Sequence, residues 1–268
     1  QLIERDESEE LDYGQNTRKT FELSDFFIHL NDSKSLLENS LQRILELIFG
    51  NPYLTPTFDE FSMFMAFTSS LRSADLSRQV GAVIGKNNEI LATGANDCPK
   101  YGGGLYWPTS EKNQIIDTQD GRDYSRGFDS NKKAQESMIE NILNVLEVSE
   151  KNKEASREKL KKSLIADITE YGRVVHAEME ALMACARNGL SPKEATIFCT
   201  TFPCHNCAKH IIAAGIQRVV YIEPYPKSKA LEFHDDSIVL GIETDSESKV
   251  KFEPFVGIGP RRFFDLFQ

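Results

Sequence analysis

The stretch IFCTTFPCHNCAKHIIAAGIQRVVYI, residues 197–222, decides the architecture. It opens with a short apolar run, TIFCT (196–200), which reads as a buried strand. PCHNCAKHIIAAGI (203–216) follows at helical spacing, with Gly215 to end it. RVVYIE (218–223) is a second buried strand, ended by Pro224. Strand, helix, strand in that order predicts a right-handed crossover and a parallel pair, hence an α/β fold.

Working outward, VGAVIG (80–85), KNNE and ILATGAN (90–96) read as a β-hairpin with an Asn-containing turn. HAEMEALMACARNGL (176–190) is a helix with Gly189 at its end, and residues 249–256 are one more strand candidate. Thr57 and Glu60 form a capping box. The helix they start is expected to run to about Ala74, with Phe61, Phe64, Met65, Phe67 and Thr68 inward. KSLLENSLQRILELIF (34–49) is amphipathic, with Leu37, Leu41, Ile44, Leu45 and Ile48 in one stripe. TFELSDFFIHL (20–30) is dense in aromatics and fits helix or strand. Residues 109–130 read as polar and irregular. Residues 132–170 read as two helices joined by a charged connection, EKNKEASREK (150–159), with one stripe at Ile139, Ile142, Leu143 and Leu146 and another at Leu160, Leu164, Ile165 and Ile168. Asp129, Ser130 and Asn131 fit a helix cap, with Ser130 or Asn131 as the capping residue. The glycines of DCPKYGGGLYWP (97–108) form no P-loop, because no Lys-Ser/Thr follows them. Trp107 in that loop is a candidate pocket wall.

Composition narrows the classes. The 268 residues carry 31 Lys and Arg against 41 Asp and Glu, a net charge of −10. That balance disfavours a stable nucleic-acid partner, which needs a basic field. No run approaches the roughly 20 apolar residues of a membrane span. The acidic start QLIERDESEELDYG has no signal-peptide core. Five cysteines are few and odd in number, so a reducing cytoplasm is the expected location.

Two short motifs carry the chemistry. One is His176-Ala177-Glu178 and the other is Pro203-Cys204-His205-Asn206-Cys207, each at the start of a predicted helix. His176, Cys204 and Cys207 supply three ligands, the number a catalytic zinc uses while keeping a fourth position for water. A helix N-terminus favours thiolate over thiol. Glu178, two residues past the histidine, is placed to move protons between that water and a leaving amine. A structural four-ligand site would need a further Cys or His. Cys185 and Cys199 sit in apolar segments as core thiols, His205 cannot easily turn back to the same ion, and His210 falls on the helix surface. A redox dithiol leaves His176 and Glu178 unexplained. The H-x-E…P-C-x-x-C pattern is the signature of zinc nucleobase deaminases.

LRSADLSRQVGAVI (71–84), TGANDCP (93–99), VVHAEMEAL (174–182) and the 197–222 block together resemble the deoxycytidylate deaminases, within the cytidine deaminase superfamily. The resemblance spans about residues 60–230. It implies a three-layer α/β/α fold with a mixed sheet of about five strands, one catalytic zinc and a homo-oligomer, dimer or hexamer. The two metal-bearing helices should share one face. It implies attack of water on C4 of cytosine, with Glu178 protonating N3 and then the departing ammonia. Ala177 and the backbone at Cys204 would hold the base edge. Asn96 would bond the sugar, although a turn asparagine reads almost as well. Arg72, Ser73 and Tyr225 match positions near the phosphate, although on spacing alone a solvated helix-end cation is the commoner reading of Arg72. Lys227 and Lys229 could add charge, and Arg261 and Arg262 are the weakest phosphate candidates.

The pattern also departs from the family. Leu76 stands where Pro is frequent, and Glu180 where Asn is frequent. The segment 99–175 is long but holds no Cys or His, so no second zinc is expected in it. YSRGFDSNKK (124–133) and FVGIGPRRFF (255–264) resemble bacterial anti-phage deoxycytidine nucleotide deaminases. In those, a P-loop kinase-like domain precedes the deaminase, and YGQNTRKTFELSDFFI (13–28) resembles its tail. The expected organisation is therefore an N-terminal extension over 1–56, the remnant of such a domain upstream of Gln1. A deaminase domain follows over 57–268, with a helical insert at 100–170. Three functions compete: deamination of dCMP or dCTP, either in anti-phage depletion or in housekeeping supply of dUMP; deamination of a nucleic-acid cytosine or adenine; and a non-catalytic zinc module. The charge counts against the second and Glu178 against the third.

Overall fold

The computed structural model describes residues 20–21, 23–30, 33–241 and 248–267. The acidic stretch 1–19 lies outside them. The chain divides into two compact units. The first takes the residues up to Arg72, Val80–Ala95 and those from His176 onward. The second takes Ser73–Gln79 and Asn96–Val175.

The first unit is built on a six-stranded mixed sheet. In chain order its main elements are β1 (Phe26–Phe27), α1 (Lys34–Ile48), α2 (Phe58–Ser70), β2 (Gly81–Lys86) and β3 (Glu89–Ala95). The second unit supplies β4 (Thr109–Glu111), β5 (Gln114–Ile116), α3 (Asp123–Arg126), α4 (Ser130–Val145) and α5 (Glu150–Lys161). The first unit then resumes with α6 (Ala177–Arg187), β6 (Thr196–Thr201), α7 (His205–Ala213), β7 (Arg218–Glu223), α8 (Ala230–Phe233), β8 (Ile238–Leu240), β9 (Val250–Pro254), β10 (Gly257–Ile258) and α9 (Phe263–Leu266). The sheet order is β3-β2-β6-β7-β9-β8. β6, β7, β9 and β8 run parallel, and β2 is antiparallel to both β3 and β6. The parallel β6–β7 pair is the one the 197–222 stretch predicts. The sheet has six strands rather than five because the three-residue β8 joins its edge, a segment too short to show a period.

Strand alternation sorts the core into two layers. Ala82, Ile84, Ile197, Cys199 and Val219 turn to one face and meet Ala177, Ala181, Cys207, Ala208 and Ile211 of α6 and α7. Val83, Phe198 and Val220 turn to the other and meet Met63 and Ala66 of α2. This is the expected three-layer α/β/α arrangement, with both metal-bearing helices on one face. Two glycines let helices lie flush on the sheet. A Cβ on Gly81 would fall 1.8 Å from the Ala66 carbonyl of α2, and one on Gly94 would fall 2.1 Å from the Ala177 carbonyl of α6.

α2 ends at Ser70, short of Ala74, because the Thr68, Ser69 and Ser70 hydroxyls donate back to the carbonyls of Met65 and Phe67. Its sheet-facing side is also not the one that carries Phe61. Ser62, Met63 and Ala66 are fully buried, while Phe61 is exposed. Close approach to the sheet selects small side chains. Phe58 packs edge-on against Phe198 of β6, ring centres 6.1 Å apart, whereas Phe61 and Phe64 meet the C-terminal segment: Phe64 stacks on Phe263 at 4.2 Å, and Phe61 lies 6.5 Å from the same ring. The capping box forms as expected. Glu60, fully buried, also accepts from both Arg43 guanidinium nitrogens at 2.7 and 2.8 Å and from the Ile258 amide at 2.9 Å. One carboxylate thus ties α1, α2 and β10 together. Of the α1 stripe, Leu37 and Ile44 are half-buried and Leu41, Leu45 and Ile48 are exposed; the buried residue of this helix is Leu47, outside the stripe. The hairpin turn is Asn87-Asn88, both at positive φ, which Asn tolerates.

The second unit departs most from expectation. Residues 109–116 form a β-hairpin rather than irregular chain, turned at Lys112 and Asn113 with positive φ. EKNKEASREK lies within α5 and is not a connection; the break falls at 146–149. Its charges hold the helix by i,i+3 pairs, Glu150–Lys153, Glu154–Arg157 and Glu158–Lys161, and Arg157 also donates to Glu140 of α4. Leu164 is exposed in a 3-10 turn, so the second apolar stripe is incomplete. Asp129, not Ser130 or Asn131, caps α4. At the unit's neck, Asp97 and Val175 exchange backbone hydrogen bonds. Buried Arg122 lies 3.6 Å from Asp97 and 3.5 Å from Asp117.

Candidate metal centre and active site

Both metal-bearing helices start at a ligand. His176 is the N-cap of α6 and Cys204 the N-cap of α7, each with extended backbone. Neither side chain caps its own helix. Both turn to a common point. The Sγ atoms of Cys204 and Cys207 each lie 3.4 Å from Nδ1 of His176, and all three donor atoms fall within 4.8 Å of one another. Zinc–sulfur and zinc–nitrogen bonds at a tetrahedral angle put S and N about 3.5 Å apart. The donor set fits one zinc ion by chemistry and by spacing.

The electrostatics suit that ion. The ligands sit at two helix N-termini, whose positive dipole ends favour negative sulfur. Hydrogen bonding from Cys207, reinforced by His176, brings the Cys204 thiol down to about 4. Cys207 keeps the shared proton, pushed well up by its bond to Cys204 and by burial.

Glu178 sits in the first turn of α6 and is 4% exposed. Burial lifts its carboxyl above the usual range, against the pull of neighbouring His176. A carboxyl raised in this way takes up a proton more readily than an ordinary carboxylate, which suits a group that must both accept and donate one. Cys199 of β6 and Cys185 of α6 are fully buried core thiols, as expected. His205 packs edge-on against Phe233, ring centres 5.7 Å apart, and stays outside the ligand triangle. His210 turns to the Asn206 carbonyl on the surface of α7.

The remaining sequence candidates are distributed over the two units. Within the first, Ala177 is fully buried beside Gly94, Tyr225 packs against the α6–α7 core, and Arg72 lies just past α2. Within the second, the Ser73 hydroxyl donates to the Asn96 carbonyl at 2.6 Å, and the Asn96 amide donates to the Arg78 carbonyl at 2.8 Å. These bonds hold the turn together. Trp107 is exposed. Arg262 pairs with Asp25 and Asp265, and Arg261 lies over Phe67 of α2. Both arginines therefore serve the α2 side of the sheet, away from the metal ligands. Glu180, the departure from the family pattern, is buried and accepts from Arg187 at 2.5 Å. Sequence reading missed Gly94 and Ser228, whose importance appears only in what they touch.

The sequence pattern of the cytidine and deoxycytidylate deaminase zinc-binding region matches residues 56–223. The chain belongs to the cytidine and deoxycytidylate deaminase family. Among the family's members, the deoxycytidylate deaminase of Enterobacteria phage T2 is 30% identical over 197 residues, 70% of this chain and 92% of the phage protein. The human deoxycytidylate deaminase is 26% identical over 166 residues, 61% of this chain and 63% of that protein. The crystal structure of the cyanophage S-TIM5 dCMP deaminase in complex with dCMP and dUMP is 21% identical, with a TM-score of 0.42, covering 76% of this chain and all of that one. In this family member, zinc is the cofactor that His176, Cys204 and Cys207 are placed to bind. Among the described residues, no helix is long and apolar enough to cross a membrane.

Proposed function

We propose that this deaminase removes the 4-amino group from a free deoxycytidine nucleotide, dCMP or dCTP, giving the deoxyuridine nucleotide and ammonia. The observation that carries the reading is the His176–Cys204–Cys207 triangle with buried Glu178 in the same turn as the histidine. Zinc, when bound there, supplies a Lewis acid that makes water nucleophilic near neutral pH. Glu178 takes the proton from water, delivers it to N3 of the base, and carries a second proton to the departing ammonia. Its raised affinity for a proton suits both halves of that transfer. On this reading the Ala177 amide, at the N-terminus of α6, holds the base edge, and Tyr225 and Arg72 meet the phosphate.

The deoxycytidylate deaminases among the relatives favour dCMP as the first substrate to test. The net charge of −10 supports a free nucleotide over a polymer. The resemblance at 124–133 and 255–264 extends the reading to depletion of deoxycytidine nucleotides in anti-phage defence, in the cytoplasm and as a homo-oligomer. Ammonia release is measured with zinc-loaded protein and dCMP, dCTP, CMP, deoxycytidine or single-stranded DNA. Turnover of the oligonucleotide alone refutes the proposal. Glu178→Gln should lower kcat by about 10²–10⁴-fold with zinc retained; undiminished turnover refutes the role of Glu178.

A further inference from the structure

The loop 224–229 leaves the end of β7 and runs to α8. It is fastened to the metal-bearing turn at more than one point. At its start, the Phe202 amide donates to the Glu223 carbonyl at 2.7 Å, so the exits of β6 and β7 stay side by side. At its far end, the Ser228 hydroxyl donates to the carbonyl of Pro203 at 2.8 Å. Pro203 is buried and immediately precedes the ligand Cys204. The same hydroxyl accepts from the Ala230 amide at 3.3 Å, and the Ser228 amide donates to the Tyr225 carbonyl at 2.9 Å. Just beyond, Phe233 of α8 meets His205 edge-on, between the two cysteines in sequence.

We propose that Ser228 is a positioning residue. Its hydroxyl clamps the loop that carries Tyr225, Lys227 and Lys229 onto the metal turn, and so sets how well the enzyme holds its nucleotide. The inference rests on the proposed deamination of a nucleotide. The chemistry follows from the loop's composition: the Tyr225 phenol and the Lys227 ammonium are suited to a phosphate, Lys229 lies over the Phe233 ring at 5.8 Å, and only a fixed loop presents such groups without an ordering cost at binding. Removing the hydroxyl leaves the buried Pro203 carbonyl without its donor and releases the turn around Ser228. The triangle of His176, Cys204 and Cys207 is held independently by the starts of α6 and α7, so the chemical step is spared.

The test compares wild type, Ser228→Ala and Ser228→Thr, all zinc-loaded, with dCMP as the substrate. For Ser228→Ala the expected result is a KM raised about two- to tenfold with kcat and zinc content unchanged. Ser228→Thr, which keeps the hydroxyl, should restore KM. An unchanged KM in the alanine variant, or a loss of kcat and zinc at constant KM, overturns the proposal. Hydrogen exchange gives a readout independent of activity: the amides of Ser228 and Ala230 should exchange faster in Ser228→Ala and at the wild-type rate in Ser228→Thr. Equal exchange in all three proteins overturns the clamp. Wild-type protein that turns over no deoxycytidine nucleotide refutes the proposed function instead, and the exchange result still decides the clamp.

Discussion

Gly94→Ala is a one-methyl perturbation aimed at the catalytic helix from outside the site. The new Cβ would sit 2.1 Å from the Ala177 carbonyl oxygen and 2.6 Å from the Ala181 amide nitrogen. Both obstacles are backbone, so no side chain can rotate away. Reaching even a tight 3.0 Å contact requires α6 and β3 to part by about 0.9 Å. Overpacking of this kind costs about 1–3 kcal/mol, and a chain of this size loses roughly 2–4 °C of Tm per kcal/mol. Ala177 lies between the ligand His176 and Glu178, the proposed proton carrier, so the retreat moves both. A misplacement of about 1 Å at a reacting centre costs on the order of 100-fold in rate.

The assay is kcat for dCMP together with zinc content and Tm. Gly81→Ala is the control. Its Cβ would strike the Ala66 carbonyl at 1.8 Å, on the α2 side of the same sheet. That variant should lose stability yet keep most of its turnover per folded molecule. A Gly94→Ala protein with wild-type kcat and Tm refutes the reasoning. So does an equal loss of kcat in the two variants.

Two other outcomes follow from the structure. In zinc-free protein at neutral pH, iodoacetamide should label Cys204 first, because that thiol is lowered to about 4. Cys98, raised to about 11 by burial and by neighbouring Asp123, should stay unlabelled. Zinc should protect Cys204, and labelling in which Cys98 leads would count against the ligand triangle. Arg43→Ala should destabilise the protein by about 1.5–3 kcal/mol, since it removes two charged hydrogen bonds from buried Glu60. A chemical-denaturation midpoint equal to wild type would show that the tie between α1 and α2 contributes nothing.

The sequence by itself determined the parallel β6–β7 pair, the hairpin before it, the capping box at Thr57 and the two local motifs, His176-Ala177-Glu178 and the C-x-x-C of Cys204 and Cys207. Each of these is written in residues a few positions apart: a period of two or 3.6, a stop residue, or a C-x-x-C at a helix start. Local spacing fixes local geometry, so such features survive without knowledge of the rest of the chain. α5 was misread because its polarity resembles a linker, whereas its i,i+3 charge pairs hold a helix. The inward side of α2 differs from the sequence reading because aromatic bulk suggests a core, while Met63 and Ala66 face the middle of the sheet and Phe58 is the aromatic that packs on it.

What tertiary structure alone decided are the long-range meetings. His176 comes to 3.4 Å from sulfurs 28 and 31 residues away. Gly94 has no room for a side chain only because Ala177 lies against it. The Ser228 hydroxyl has meaning only through the Pro203 carbonyl it reaches. A glycine or a serine in a sequence carries no mark of what will press on it or what it will bond. That information exists only once burial and the pairing of buried polar groups have brought distant segments together.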